Sequence, residues 1–126
     1  MEVLSSRILL RAADPQRTTA FYRDTLGLAI AREFPGGTVF FAGGGYLEVS
    51  GGGTGEAAGN LAIWLQVRSL SAVAAQLTVA GVRILREPRT EPWGLHEMWI
   101  ADPDGVRLVI VEVPEDHPIR VDMRRL

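Results

Sequence analysis

Cysteine is absent from the 126 residues, which excludes disulfides, thiolate metal centres and cysteine nucleophiles and fits a reducing compartment. Lysine is absent too. All thirteen basic residues are arginine, a side chain suited to pairing with carboxylates and stacking on rings. Histidine occurs only at His96 and His117, and no Ser/His/Asp arrangement stands out to support nucleophilic catalysis. No apolar run approaches the roughly 20 residues of a membrane-spanning helix. No cationic segment leads into a long apolar one near the start, so a soluble, cytoplasmic protein is the expectation. With a net charge of −2, the chain offers no basic surface for nucleic acid or an anionic membrane.

What is present is an ordinary globular composition, 47% hydrophobic and 22% charged, in a length that suits one domain or two small halves sharing a core. Residues 98–113 read as two apolar, β-rich runs flanking Asp102-Pro103-Asp104-Gly105. Pro103 sets the first corner of a turn and Gly105 accepts the positive φ of its exit, so the stretch is an antiparallel hairpin. Upstream, residues 7–12 alternate as a strand. Asp14 offers an N-cap and Pro15 a first helical position for a helix ending at Gly27. Residues 28–34, 38–42 and 46–50 are strands joined by Pro35-Gly36-Gly37 and Gly43-Gly44-Gly45. Residues 51–60 are glycine-rich without periodicity and lack a phosphate-binding signature, so they read as a flexible linker.

The pattern then begins again. Residues 61–67 form a strand, Ser69 caps a helix bearing Leu70, Val73, Ala74 and Leu77 at helical spacing, Gly81 ends it, and residues 82–85 return as a strand. Ile8, Leu10 and Gly27-Leu28-Ala29-Ile30 overlay Ile63, Leu65 and Gly81-Val82-Arg83-Ile84, and Arg32-Glu33 falls on Arg86-Glu87. This is an internal repeat of strand–helix–strand–strand–strand. The expected boundaries are 5–50 for the first module, 51–60 for the linker, 61–113 for the second module and 114–126 for a tail that wraps a partner subunit or frays.

Asp14-Pro15 through Phe21-Tyr22-Arg23-Asp24-Thr25-Leu26-Gly27-Leu28, together with Asp102-Pro103-Asp104-Gly105, resembles the vicinal-oxygen-chelate superfamily of glyoxalases, bleomycin-resistance proteins and dioxygenases. The resemblance implies an α+β fold of two βαβββ modules forming an open, cleft-containing barrel, paired in a homodimer. Metal-dependent members place ligands at positions that fall here on Arg7, Glu48, Ala62 (with Asn60 and Trp64 as its neighbours) and Val109. Glu48 alone suits a cation, a guanidinium at position 7 repels one, and Glu112 faces the other side of the strand from Val109. The expectation is therefore no metal, no cofactor and no catalytic residue. Arg7 and Glu48 either pair across the former ligand positions or point separately into solvent.

Strand alternation places Arg7, Leu9, Tyr46, Glu48, Ala62, Trp64, Gln66, Arg107, Val109 and Val111 on inner faces. Aromatic rings gather with them: Phe34, Phe40, Tyr46, Trp64, Trp99 and Trp93, the last in a Pro-Trp-Gly loop that resembles the bleomycin-resistance subgroup. Phe21 and Phe41 read as core. The expected ligand contacts are Arg7, Leu9, Phe34, Phe40, Tyr46, Glu48, Trp64, Gln66, Trp93, His96, Met98, Arg107 and Val109. The function this implies is sequestration of a large, planar aromatic natural product or antibiotic, conferring drug resistance, with sites at the subunit interface. The alternative is an enzyme of the same superfamily, a lyase, isomerase or dioxygenase, using a divalent metal or Glu48 as general base. Burial would raise the Glu48 pKa and Arg7 would lower it, so the two effects oppose.

Overall fold

The structure is a computed structural model and describes residues 1–119. Its α+β class and its two βαβββ modules agree with expectation, each module being a four-stranded mixed sheet with one helical connection. The first compact unit comprises Met1–Gly59 and Asp102–Val106; the second comprises Asn60–Ala101 and the chain from Arg107 onward.

In the first unit, β1 (Ile8–Arg11), β2 (Ile30–Phe34), β3 (Gly37–Ala42) and β4 (Gly45–Ser50) form a sheet in the order β1-β4-β3-β2. β1 runs parallel to β4 and the other neighbours are antiparallel. The connection opens with Asp14, whose carboxylate accepts from the Arg17 N–H at 3.2 Å, and with Pro15 at the first position of α1 (Pro15–Ala20). The helix expected to reach Gly27 as one regular element instead widens into a π turn over Phe21–Thr25, where Leu26 N–H reaches back to Phe21 C=O. That turn delivers Tyr22 onto Phe40, ring centroids 6.2 Å apart, and both are wholly buried with Leu47 and Val49.

Phe40 was expected among rings lining a cleft. Alternation puts it on the helix-covered face, and the residue exposed on the other face is Phe41, expected to be core and instead 46% exposed against Tyr46 at 5.6 Å. The glycine-rich segment is also less free than a linker. Gly53 donates its N–H to Ala12 C=O at 3.2 Å, and a Cβ there would lie 1.8 Å from the Arg11 carbonyl oxygen. Only glycine permits the chain to pass so close to the end of β1.

In the second unit, β5 (Ala62–Gln66), β6 (Arg83–Thr90), β7 (His96–Ala101) and β8 (Arg107–Glu112) take the equivalent order β5-β8-β7-β6. Helix α2 (Leu70–Val79) is capped by Ser69, whose hydroxyl accepts from Ala72 N–H at 3.3 Å, and by Glu112, whose carboxylate accepts from Leu70 N–H at 2.9 Å. Glu112 therefore marks the helix side of the sheet, where Ile63, Met98, Ile100, Leu108 and Ile110 are buried beneath Leu70 and Leu77. Met98, expected as a ligand contact, belongs to this core with no exposure.

The turn between β7 and β8 forms as expected: Asp102 Oδ1 accepts from Asp104 N–H and Val106 N–H, both at 2.9 Å, and Gly105 has φ +85. Strand β6 runs past the expected stop at Leu85 to Thr90 and accommodates Pro88, as the outer strand of a sheet can. The repeat extends to irregularities, since the pairing slips between Ile30 and Arg32 in β2 and between Ile84 and Arg86 at the overlaid place in β6. Beyond Ile119, the expected tail lies outside the described residues. Among the described residues, no helix is long and apolar enough to cross a membrane.

Candidate functional site

The face of the second sheet turned away from α2 carries Trp64 and Trp99. Register aligns Trp64 with Val109, Val109 with Trp99 and Trp99 with Arg86, one row crossing all four strands. Trp64 ends the row and is 47% exposed. Over the Trp99 ring the Arg86 guanidinium carbon stands 3.8 Å from the centroid, and that of Arg107 stands 5.1 Å away. Each such contact contributes about 0.5–2 kcal/mol, more where water is excluded. Val109 packs against a small core of Leu95, Val111 and Val113, which continues from the row along its own face of the sheet.

Two buried carboxylates hold the arginines and the loop in place. Glu91 accepts from the Arg86 guanidinium and from Arg89 Nε at 3.2 Å, with its side chain wholly buried. Removing one partner of such a pair costs about 3–5 kcal/mol, because the remaining charge stays buried. Burial, followed by the Arg89 charge, lowers the Arg86 pKa from its usual value, and Glu97 opposes this. Glu97 is buried in turn and accepts from the Trp93 indole N–H at 2.8 Å. His117 clips the backbone of the same loop, its Nε2 lying 2.9 Å from Trp93 C=O. Because Ile119 N–H donates to Nδ1 at 3.2 Å, Nδ1 is the acceptor and Nε2 carries the donated proton. Trp93 is thus held at both its indole and its carbonyl while its ring is 56% exposed.

In the first unit, Arg7 Nη1 lies 2.9 Å from Glu48 Oε1, so the pairing alternative is the one observed. Leu9, aligned with Glu48, is half exposed, and Tyr46 shares this face with Phe41. Phe34 sits apart, at the β2–β3 turn, beneath Arg32 and along a groove of about 960 Å³ bounded by Pro15 and Thr19.

Of the expected contacts, the second unit brings together Trp64, Val109 and Arg107, with Gln66 exposed one row further along. It does not bring His96 to them. His96 pairs with Glu112 on the helix side, bonds to Thr90 through Nδ1 at 2.8 Å and lines a separate groove of about 540 Å³. Phe40 and Met98 are sealed in the cores, as described. Missed by sequence reasoning were Arg86, Glu91 and Glu97. Arg86 would have emerged from extending β6 past the expected stop at Leu85; the two acids carried no local signal.

A divalent metal does not suit these side chains. At the family's ligand positions Arg7 occupies Glu48, while Ala62 and Val109 offer no donor atom on their side chains. Among the described residues, no three or more His, Cys, Asp or Glu side chains gather where they could hold an ion.

Two mixed sheets built as repeats, each with its helical connection after the first strand, define a duplicated α+β protein. The family model of the Glyoxalase/Bleomycin resistance protein/Dioxygenase superfamily matches residues 5–110, and the chain belongs to that superfamily. Solved structures share the fold at low identity. TioX from Micromonospora sp. ML1 is 21% identical with a TM-score of 0.71, over 86% of this chain and 95% of that one. A superfamily member from Sphaerobacter thermophilus DSM 20745 is 24% identical with a TM-score of 0.72, over 88% and 98%. Lactoylglutathione lyase from Agrobacterium tumefaciens is 18% identical with a TM-score of 0.66, over 89% and 94%. Among curated proteins, none matches the chain in sequence.

Proposed function

We propose that the protein binds and sequesters a planar aromatic small molecule of antibiotic type, as a homodimer, without metal and without chemical change to the ligand. The observation that carries this reading is the row Trp64–Val109–Trp99–Arg86, which crosses all four strands and ends in an exposed indole. A flat ring laid on it gains about 0.5–1.5 kcal/mol per aromatic pair beyond the buried area. Trp93, fixed from two sides yet exposed, offers a second ring at low entropic cost. The name of the superfamily also covers drug resistance, which suits a binder that needs no reacting group.

An enzymatic reading would centre on Glu48, and Arg7 already holds its Oε1. The test is titration of aromatic antibiotics and dyes, from the fused-ring doxorubicin to bleomycin with its bithiazole, followed by tryptophan quenching and by thermal shift. Binders are expected to raise the unfolding temperature by mass action. Trp64→Ala or Trp93→Ala is expected to weaken binding by about tenfold, equivalent to ~1.4 kcal/mol. A verified ligand whose affinity neither substitution changes would refute the site. A stoichiometric divalent ion in protein purified without chelators would instead favour catalysis.

A further inference from the structure

The exposed ring of Trp93 is held by a residue from outside its own loop. Within the loop, Glu91 N–H donates to Leu95 C=O at 2.8 Å and Gly94 N–H to Glu91 C=O at 2.9 Å, closing residues 91–95 on themselves. The carbonyl of Trp93 is taken instead by His117, whose Nε2 lies 2.9 Å away. That imidazole is itself fixed. His117 N–H donates to Pro114 C=O at 3.0 Å, and Ile119 N–H donates to Nδ1 at 3.2 Å. The fit is also close, since a Cβ on Gly94 would lie 3.3 Å from His117 Cδ2. Below both, the loop and the segment that carries His117 share one buried cluster, Leu95 with Val111 and Val113.

We infer that His117 is a positioning residue of the binding site: its Nε2–H fixes the Trp93 backbone, so that the indole is already in place when a ligand arrives. The indole N–H is tied to Glu97, so backbone and ring are restrained independently. The inference rests on the aromatic-binding reading above and deepens it by assigning a residue that acts through Trp93 and not on the ligand itself. An exposed ring on an unrestrained loop has to be ordered during binding, and that cost weakens the complex. Only the neutral Nε2–H imidazole serves, because Nδ1 must stay an acceptor for Ile119.

The experiment separates the two ring nitrogens. His117→Gln places an amide N–H where Nε2 stands and keeps the clip; His117→Asn places an oxygen near Nδ1, keeps the bond from Ile119 and loses the clip. Mobility of the Trp93 indole N–H, assigned by its disappearance in Trp93→Ala, is read from the heteronuclear NOE without ligand. His117→Asn is expected to loosen it, and His117→Gln to leave it as in the parent. Doxorubicin binding, followed by calorimetry, is expected to weaken about fivefold in His117→Asn and to stay within about twofold of the parent in His117→Gln. In a Trp93→Ala background, His117→Asn is expected to change affinity by less than about twofold, since nothing is left to position. A Trp93 indole as rigid in His117→Asn as in the parent overturns the inference. Unchanged doxorubicin affinity in His117→Asn overturns it too, as does a loss that persists without Trp93, and both leave aromatic binding intact. Failure of the parent protein to bind doxorubicin removes the underlying reading and the inference together.

Discussion

Tyr22 is buried without remainder, and its hydroxyl donates to Asp102 Oδ2 at 2.8 Å. Asp102 thereby closes its own turn with one oxygen and receives the phenol with the other. Tyr22→Phe leaves that second oxygen buried without a donor and is expected to cost about 1–3 kcal/mol in urea denaturation. The two groups also give stability a pH dependence. Burial, then the charge and hydrogen bond of Asp102, push the Tyr22 phenol above its ordinary value, so the unfolded chain loses this proton first. Stability is therefore expected to fall as pH rises past about 10, and less steeply in Tyr22→Phe. Burial raises Asp102 too, against the opposing bonds from Tyr22 and the backbone. The folded state then holds the Asp102 proton more tightly, and stability declines from about pH 4 upward until its raised value is passed. Denaturation midpoints of Asp102→Asn across pH 3–8 should lack that decline. The Asp-Pro-Asp-Gly turn was readable locally because each residue has a turn role. Its partnership with Tyr22, 80 residues away, was not, since no local pattern reports a contact at that separation.

At the level of elements, α2 shows how a helix start is secured by two different parts of the chain. Ser69 caps from within the sequence signal, and Glu112 reaches from β8 to Leu70 N–H. Ser69→Ala is expected to lower stability by about 1 kcal/mol, measured by thermal unfolding. With Glu112 still in place the helix should persist. The Ser69 cap was legible from residue type and spacing, whereas the Glu112 cap depends on strand packing. Strand β6 is the instructive error. The expected strand stopped at Leu85, yet β6 runs on through Pro88 to Thr90, and an outer strand tolerates proline because one set of its N–H groups pairs with nothing in the sheet. Stopping there hid Arg86, and with it the pairing to Trp99. Phe40 and Phe41 show the other weakness of reading alternation. Adjacent aromatics on a strand point opposite ways, and nothing but the placement of the helix decides which is buried.

For the whole molecule, the duplicated pattern of strands and glycines was legible because repetition doubles every signal. Oligomeric state belongs at this scale too. A homodimer is expected to give twice the 13.7 kDa chain mass in light scattering, and a single-chain mass would refute that part of the proposal. The residues Asp102–Val106 belong with the first compact unit although they arise late in the chain. Severing the polypeptide at its glycine stretch would consequently yield no self-sufficient front fragment. Its phenol would be stranded, and any rescue would have to come from a back fragment supplied in trans, which makes complementation, not autonomous folding, the behaviour such pieces inherit.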